Sequence, residues 1–106
     1  MIKRDEVPAE LLAAVKNYLN VTWDDEATDA KIRGFIASAT VYLDKKGGGE
    51  LDYDSDGLPR TLLFDYVRYQ NSEALDVFES NFSALILAMQ NDGLVKKYAE
   101  KNAVSG

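Results

Sequence analysis

The chain has 106 residues, enough for one domain with a modest core and no staples. It contains no cysteine and no histidine, which excludes disulfides, thiolate sites, Ser-His-Asp and Cys-His catalysis and the ordinary zinc sites. Twelve basic against 18 acidic residues give a net charge of −6, and the basic residues are scattered, so no stripe for gripping phosphates emerges.

In chain order, Met1–Val7 reads as a loose arm. It is basic, but no apolar stretch follows it as in a secretory signal. Pro8–Leu19 has helical period, with Leu11, Leu12, Val15, Tyr18 and Leu19 on one face. Asn20–Trp23 connects to a second helix over Asp24–Asp44, capped by Thr22 or Asp24, with Val21 or Trp23 packing back as a staple. Its main stripe is Ile32, Phe35, Ile36, Ala39 and Leu43. A second stripe of small residues, Ala30, Gly34, Ala37 and Val41, permits close approach by another helix of this chain or of a neighbour.

Lys45–Gly57, KKGGGELDYDSDG, reads as a flexible acidic loop, long for a helix connection. The third helix, Leu58–Asn71, has Pro59 in its first turn. Its apolar arc of Leu62, Leu63, Tyr66, Val67, Tyr69 and Gln70 is wide enough to touch neighbours on more than one side, so the spacing predicts the inner helix of the bundle. Its polar side carries Arg60, Asp65 and Arg68. Asn71-Ser72 break the pattern. A fourth helix then buries Leu75, Phe78, Phe82, Leu85, Ile86 and Met89, and ends at Asn91-Asp92-Gly93 with Gly93 as a left-handed cap. Leu94–Gly106 reads as strand, helix or tail without distinction. The expectation is therefore all-α: an arm (1–7), a small four-helix bundle (8–91) with a long loop between helices 2 and 3, and an irregular C-terminal tail (92–106). No apolar run is long enough to span a membrane.

No chemical motif survives inspection. Asp52-x-Asp54-x-Asp56-Gly57 opens like a calcium loop, but its twelfth position is Leu63 rather than the closing Glu. Lys45-Lys46-Gly47-Gly48-Gly49 has the wrong order for a phosphate loop. The acid pairs Asp24/Asp25 and Asp44/Glu50 read as caps and solubility. Asp65 and Arg68 are spaced to pair on one helix. The expectation is no catalysis, no metal and no cofactor.

Two segments in order, Val15–Ile32 (VKNYL…TWDDE.TD.KI) and Leu62–Phe82 (LLFDYVRY…ALD.FE.NF), are similar to the small head–tail connector (adaptor) proteins of tailed bacteriophages. The resemblance covers roughly residues 8–90 and rests on core and cap positions. It implies a non-catalytic helical bundle, made in the bacterial host cytoplasm and built into the virion head–tail junction. There it would form a ring of about a dozen copies beneath the portal protein, extend the DNA channel and receive a stopper or tail-completion protein. An acidic chain suits a channel that DNA slides through without specific binding. Under this resemblance the candidate subunit or partner contacts are Ala30, Gly34, Ala37, Val41, Arg60, Asp65 and Arg68, with Leu94, Val95 and Tyr98 in the tail. The candidate channel or partner loop holds Lys45, Lys46, Gly48, Asp52, Asp54 and Asp56. The alternative is a non-viral helical interaction module without catalysis.

Overall fold

Four helices account for most of the chain: α1 (Ala9–Tyr18), α2 (Glu26–Gly47), α3 (Leu58–Asn71) and α4 (Phe78–Ser105), with short 3₁₀ turns at Arg4–Glu6 and Leu75–Val77. The computed structural model describes the backbone of residues 1–105 and the side chains of residues 1–96. The described residues form an all-α bundle without strands.

The wide apolar arc of α3 does what its width requires. The helix touches α1, α2, α4 and the Leu75–Val77 turn, and Leu62, Leu63 and Val67 are fully buried. Around it, α1 contributes Leu11, Leu12 and Val15, α2 contributes Ile32, Ile36, Ala39 and Leu43, and α4 contributes Phe78, Ile86 and Met89. Phe78 is the hub of one end. Its ring meets Tyr42, Tyr66 and Tyr69 edge-on at 5.1–6.0 Å centroid spacing, and stacks on Phe82 at 4.9 Å. Such pairs add about 0.5–1.5 kcal/mol each beyond the area they bury.

The helix ends are set by local chemistry. Asn20 closes α1 in the left-handed conformation (φ 61°), with Val21 N–H donating to the Lys16 carbonyl and Asn20 N–H to that of Asn17. That is a Schellman closure with asparagine where glycine is commonest. The same closure ends α3, with Glu73 left-handed (φ 57°), Ala74 N–H on Tyr69 and Glu73 N–H on Gln70. So Ser72 and Glu73 belong to the end of α3, not to the start of α4, which opens after Ala74 through the 3₁₀ turn. Asp25, not Thr22 or Asp24, caps α2: its carboxylate accepts from Thr28 N–H at 3.0 Å and Thr28 Oγ1 at 2.7 Å.

Three expected boundaries are corrected. The arm is not loose. It lies along α2, where Ile2 N–H donates to Thr40 Oγ1 at 2.9 Å and the Met1 amino group pairs with Asp44. The loop is shorter, Gly48–Gly57, because Lys45, Lys46 and Gly47 form the last turn of α2 and Gly48 (φ 79°) ends it. The expected irregular tail is helical over its described residues 92–105, since α4 runs through Asn91-Asp92-Gly93 to Ser105. Glycine inside a helix costs only about 1 kcal/mol. Here α4 is anchored just before that turn: Met89 is in the core, and Gln90 Nε2 donates to the Lys46 carbonyl at 3.0 Å, capping an open end of α2.

Candidate interaction surfaces

The small-residue stripe of α2 is partly used within the chain. A Cβ on Gly34 would come within 2.9 Å of the Arg4 guanidinium, so the glycine seats the arm. Ala37 is half-buried and accepts from Thr40 Oγ1 at its carbonyl at 2.8 Å. Ala30 and Val41 remain exposed.

The polar side of α3 is likewise engaged. Arg60 Nη1 donates to the Tyr53 carbonyl at 2.9 Å and its guanidinium lies over Phe64. Asp65, expected on an open face, is buried and accepts from the Tyr18 hydroxyl at 2.5 Å; Arg68 lies 3.4 Å away. The Asp65 hydrogen bond, then burial, pushes the Tyr18 phenol above its ordinary range. Arg60 and Asp65 thus serve as internal ties, which leaves Arg68 as the exposed member of the three.

The loop is pinned through a residue that sequence reading passed over. Tyr53 is only 4% exposed, and its hydroxyl donates to Asp44 at 2.6 Å. Burial first, and Asp44 second, raise its phenol well above the usual range. Asp44 also accepts from Leu51 N–H at 3.1 Å. The carboxylate paired on paper with Glu50 is therefore an organising centre for loop and arm. The available signal was one aromatic in an otherwise acidic, glycine-rich stretch. Asp52 turns its carboxylate inward to Asp54 N–H (2.9 Å) and Ser55 N–H (3.2 Å), which holds it below the usual carboxylate range, Ser55 contributing most. Asp54 and Asp56 are exposed. Among the described residues no three acids converge on a point where a metal ion could sit. Lys45 is exposed, and Lys46 pairs with Glu79 and lies 5.6 Å over the Tyr42 ring.

Near the α1–α2 connection, Lys16 bridges Asp24 (3.0 Å) and Asp29 (2.9 Å). Both acids lift its ammonium above the ordinary range, Asp29 more strongly. Trp23, expected as a staple, is 55% exposed. On the far side, α4 leaves Leu87, Leu94 and Val95 at 57%, 66% and 68% exposure. Leu94 and Val95 were candidates from sequence; Leu87 was not, because it sits one step outside the core stripe. The side chain of Tyr98 lies outside the described residues. Trp23 stands just before the first turn of α2, whereas α4 meets the last turn of α2 through Glu79 and Gln90 at Lys46, so the Trp23 corner and the outward α4 face lie toward opposite ends of α2. A groove between loop and α4, lined by Leu51, Asp52, Leu58, Met89, Gly93 and Lys96 among others, holds about 350 Å³. Comparison with protein-family models, curated proteins and solved structures finds no match for this chain.

Proposed function

We propose that this chain is a non-catalytic assembly protein that works by docking, and, on the resemblance of Val15–Ile32 and Leu62–Phe82, a head–tail connector subunit of a tailed bacteriophage. In that role copies ring the portal protein at the head–tail junction, extend the DNA channel and receive a stopper or tail-completion protein. One observation supports the docking part most directly. The core is closed around α3, yet large apolar side chains stay exposed at two places toward opposite ends of α2, Trp23 at one and Leu87, Leu94 and Val95 at the other. A ring contact is heterologous and needs two different faces on each subunit. Aromatic residues such as tryptophan are also common anchors of interfaces. The acidic balance suits a wall past which DNA slides. A non-viral helical interaction module would use the same two surfaces without a portal.

The test is native mass spectrometry of the chain alone and with the portal protein encoded beside it. The connector reading expects a ring or a stable portal complex, lost in Trp23→Ala with the fold intact by circular dichroism. A chain that ignores the portal at every concentration removes that reading and leaves the general docking module.

A further inference from the structure

The outward face of α4 has a period as well as an exposure. Ser80, Ala84, Leu87, Asn91 and Leu94 follow one another at spacings of four, three, four and three, and all are exposed. This is the a/d alternation of a coiled-coil seam. The opposite face, through Phe78, Ile86 and Met89, is already committed to the bundle. Among the described residues only the end of α2, Lys46–Gly48, borders Leu87, Asn91 and Leu94, and the seam stays open to solvent. From Ser80 to Leu94 it runs about 21 Å at the helical rise.

Two features of the seam say what it would take. First, a chain of net charge −6 carries no carboxylate here: the flanking positions are Asn81, Ser83, Ala88, Gln90 and Val95, and the next in the sequence is Lys97. Two acidic molecules repel at most surfaces they could present, and this strip lets them meet without opposed carboxylates. A basic partner would find nothing to pair with. Second, Asn91 occupies an a position between Leu87 and Leu94. An asparagine there is satisfied by another asparagine across the seam in a parallel, in-register pair, and it fixes register and strand number at some cost in affinity.

We propose that α4 pairs with α4 of a second copy, parallel and in register across Asn91. The contact is isologous, so it is distinct from the heterologous contacts of a ring and does not depend on the connector reading. Within that reading it covers Leu87 and Leu94 until a partner displaces it. Two heptads make a short seam, so the pair exchanges with monomer on dilution.

Sedimentation equilibrium from micromolar to millimolar chain tests the pairing. We expect a monomer–dimer equilibrium that Leu94→Glu weakens at least about tenfold and Asn91→Leu tightens. Because the chain has no cysteine, a single introduced thiol reports register. Asn91→Cys and Ala84→Cys should both give covalent dimers on mild oxidation, faster than Ser55→Cys in the loop. This readout also serves if Leu94→Glu alters the fold. A chain that is monomeric throughout the range overturns the proposal. So does an oligomer indifferent to Leu94→Glu, or cross-linking at 84 and 91 no faster than at 55. An antiparallel pair, which does not bring Ala84 to its counterpart, overturns the parallel register.

Discussion

The loop Gly48–Gly57 and the second half of α4 invert what their compositions suggest. The loop is rich in glycine and acid, yet it is fastened from above and below: Tyr53 fills a core position and reaches Asp44, Leu51 N–H reaches the same carboxylate, and Arg60 holds the Tyr53 carbonyl. Just beyond Gln90, α4 keeps a regular backbone while Leu94 and Val95 face outward. Order in the backbone and commitment of the side chains are thus separate properties. One buried aromatic organises ten irregular residues, while a helix built from good local geometry is left with a free apolar face.

The hardest way to break this contrast is to remove the anchor. Tyr53→Ala deletes a buried ring and the donor to a carboxylate at once, and should cost about 3–5 kcal/mol in urea unfolding. Amide exchange should rise across residues 48–57 while α4 keeps its protection. A cost under about 1 kcal/mol would mean that the loop is held by backbone contacts and not by Tyr53.

Tyr53→Phe keeps the ring and removes only the hydroxyl. The expected loss is about 1–2 kcal/mol near neutral pH, because Asp44 keeps Leu51 N–H as a donor. The pH dependence has a definite sign. The folded state holds the phenol protonated above the pH near 10 at which the unfolded chain releases it. This contribution is complete below about pH 10 and falls away as pH rises further, at up to about 1.36 kcal/mol per pH unit for each such group. Tyr18, Tyr42 and Tyr66 are raised in the same direction, Tyr18 by Asp65 and the other two by burial. Stability should therefore drop on the alkaline side, and Tyr53→Phe should make that limb shallower. An unchanged limb would show that Tyr53 ionises as freely in the fold as outside it.

Much of the fold was legible because it is periodic. The stripes of α1 and α2 went to the core nearly as spaced, and the width of α3 forecast its central place. What was missed has identifiable physics. Asp65 looked like half of a surface pair, but Tyr18, three turns into another helix, turns it inward as a hydrogen-bonded acceptor. Gly34 looked like room for a helix and proves to be room for Arg4. Both depend on partners distant in sequence, which periodicity does not encode. Of the candidate surface residues, Val41, Leu94 and Val95 are exposed, Arg60 and Asp65 are spent on the fold, and Leu87 belongs with the exposed set although its spacing from the core stripe hid it.

Gly93 sharpens the other half of the comparison. A left-handed cap at this position, as sequence suggests, would make Gly93→Ala costly. In the observed helix the glycine has no left-handed φ, and a Cβ would stand 3.9 Å from the Gly47 carbonyl oxygen, an ordinary contact. The substitution should therefore stabilise α4 by about 0.5–1 kcal/mol. By contrast, a Cβ on Gly47 would press within 2.8 Å of Leu51, so Gly47→Ala should destabilise and loosen the loop. Thermal unfolding of the two alanine variants side by side separates a helix that continues from one that stops, and a loss of stability in Gly93→Ala would restore the cap.

The smallest effect is the most telling about the outward face. Leu94 is 66% exposed and touches little of its own chain, so Leu94→Ala in dilute monomer should change stability by less than about 0.5 kcal/mol. Leu63, buried completely on α3's inner side, should lose about 2–5 kcal/mol on the same change. The two leucines are chemically identical, so the difference measures burial alone. Repeating the Leu94→Ala melt at high concentration adds a further term. If the side chain is covered only when two copies meet, its substitution becomes costly as concentration rises, while the cost of Leu63→Ala stays constant. A Leu94 cost that is large in dilute solution would place this residue in the monomer's own core and remove the free face from which docking is argued.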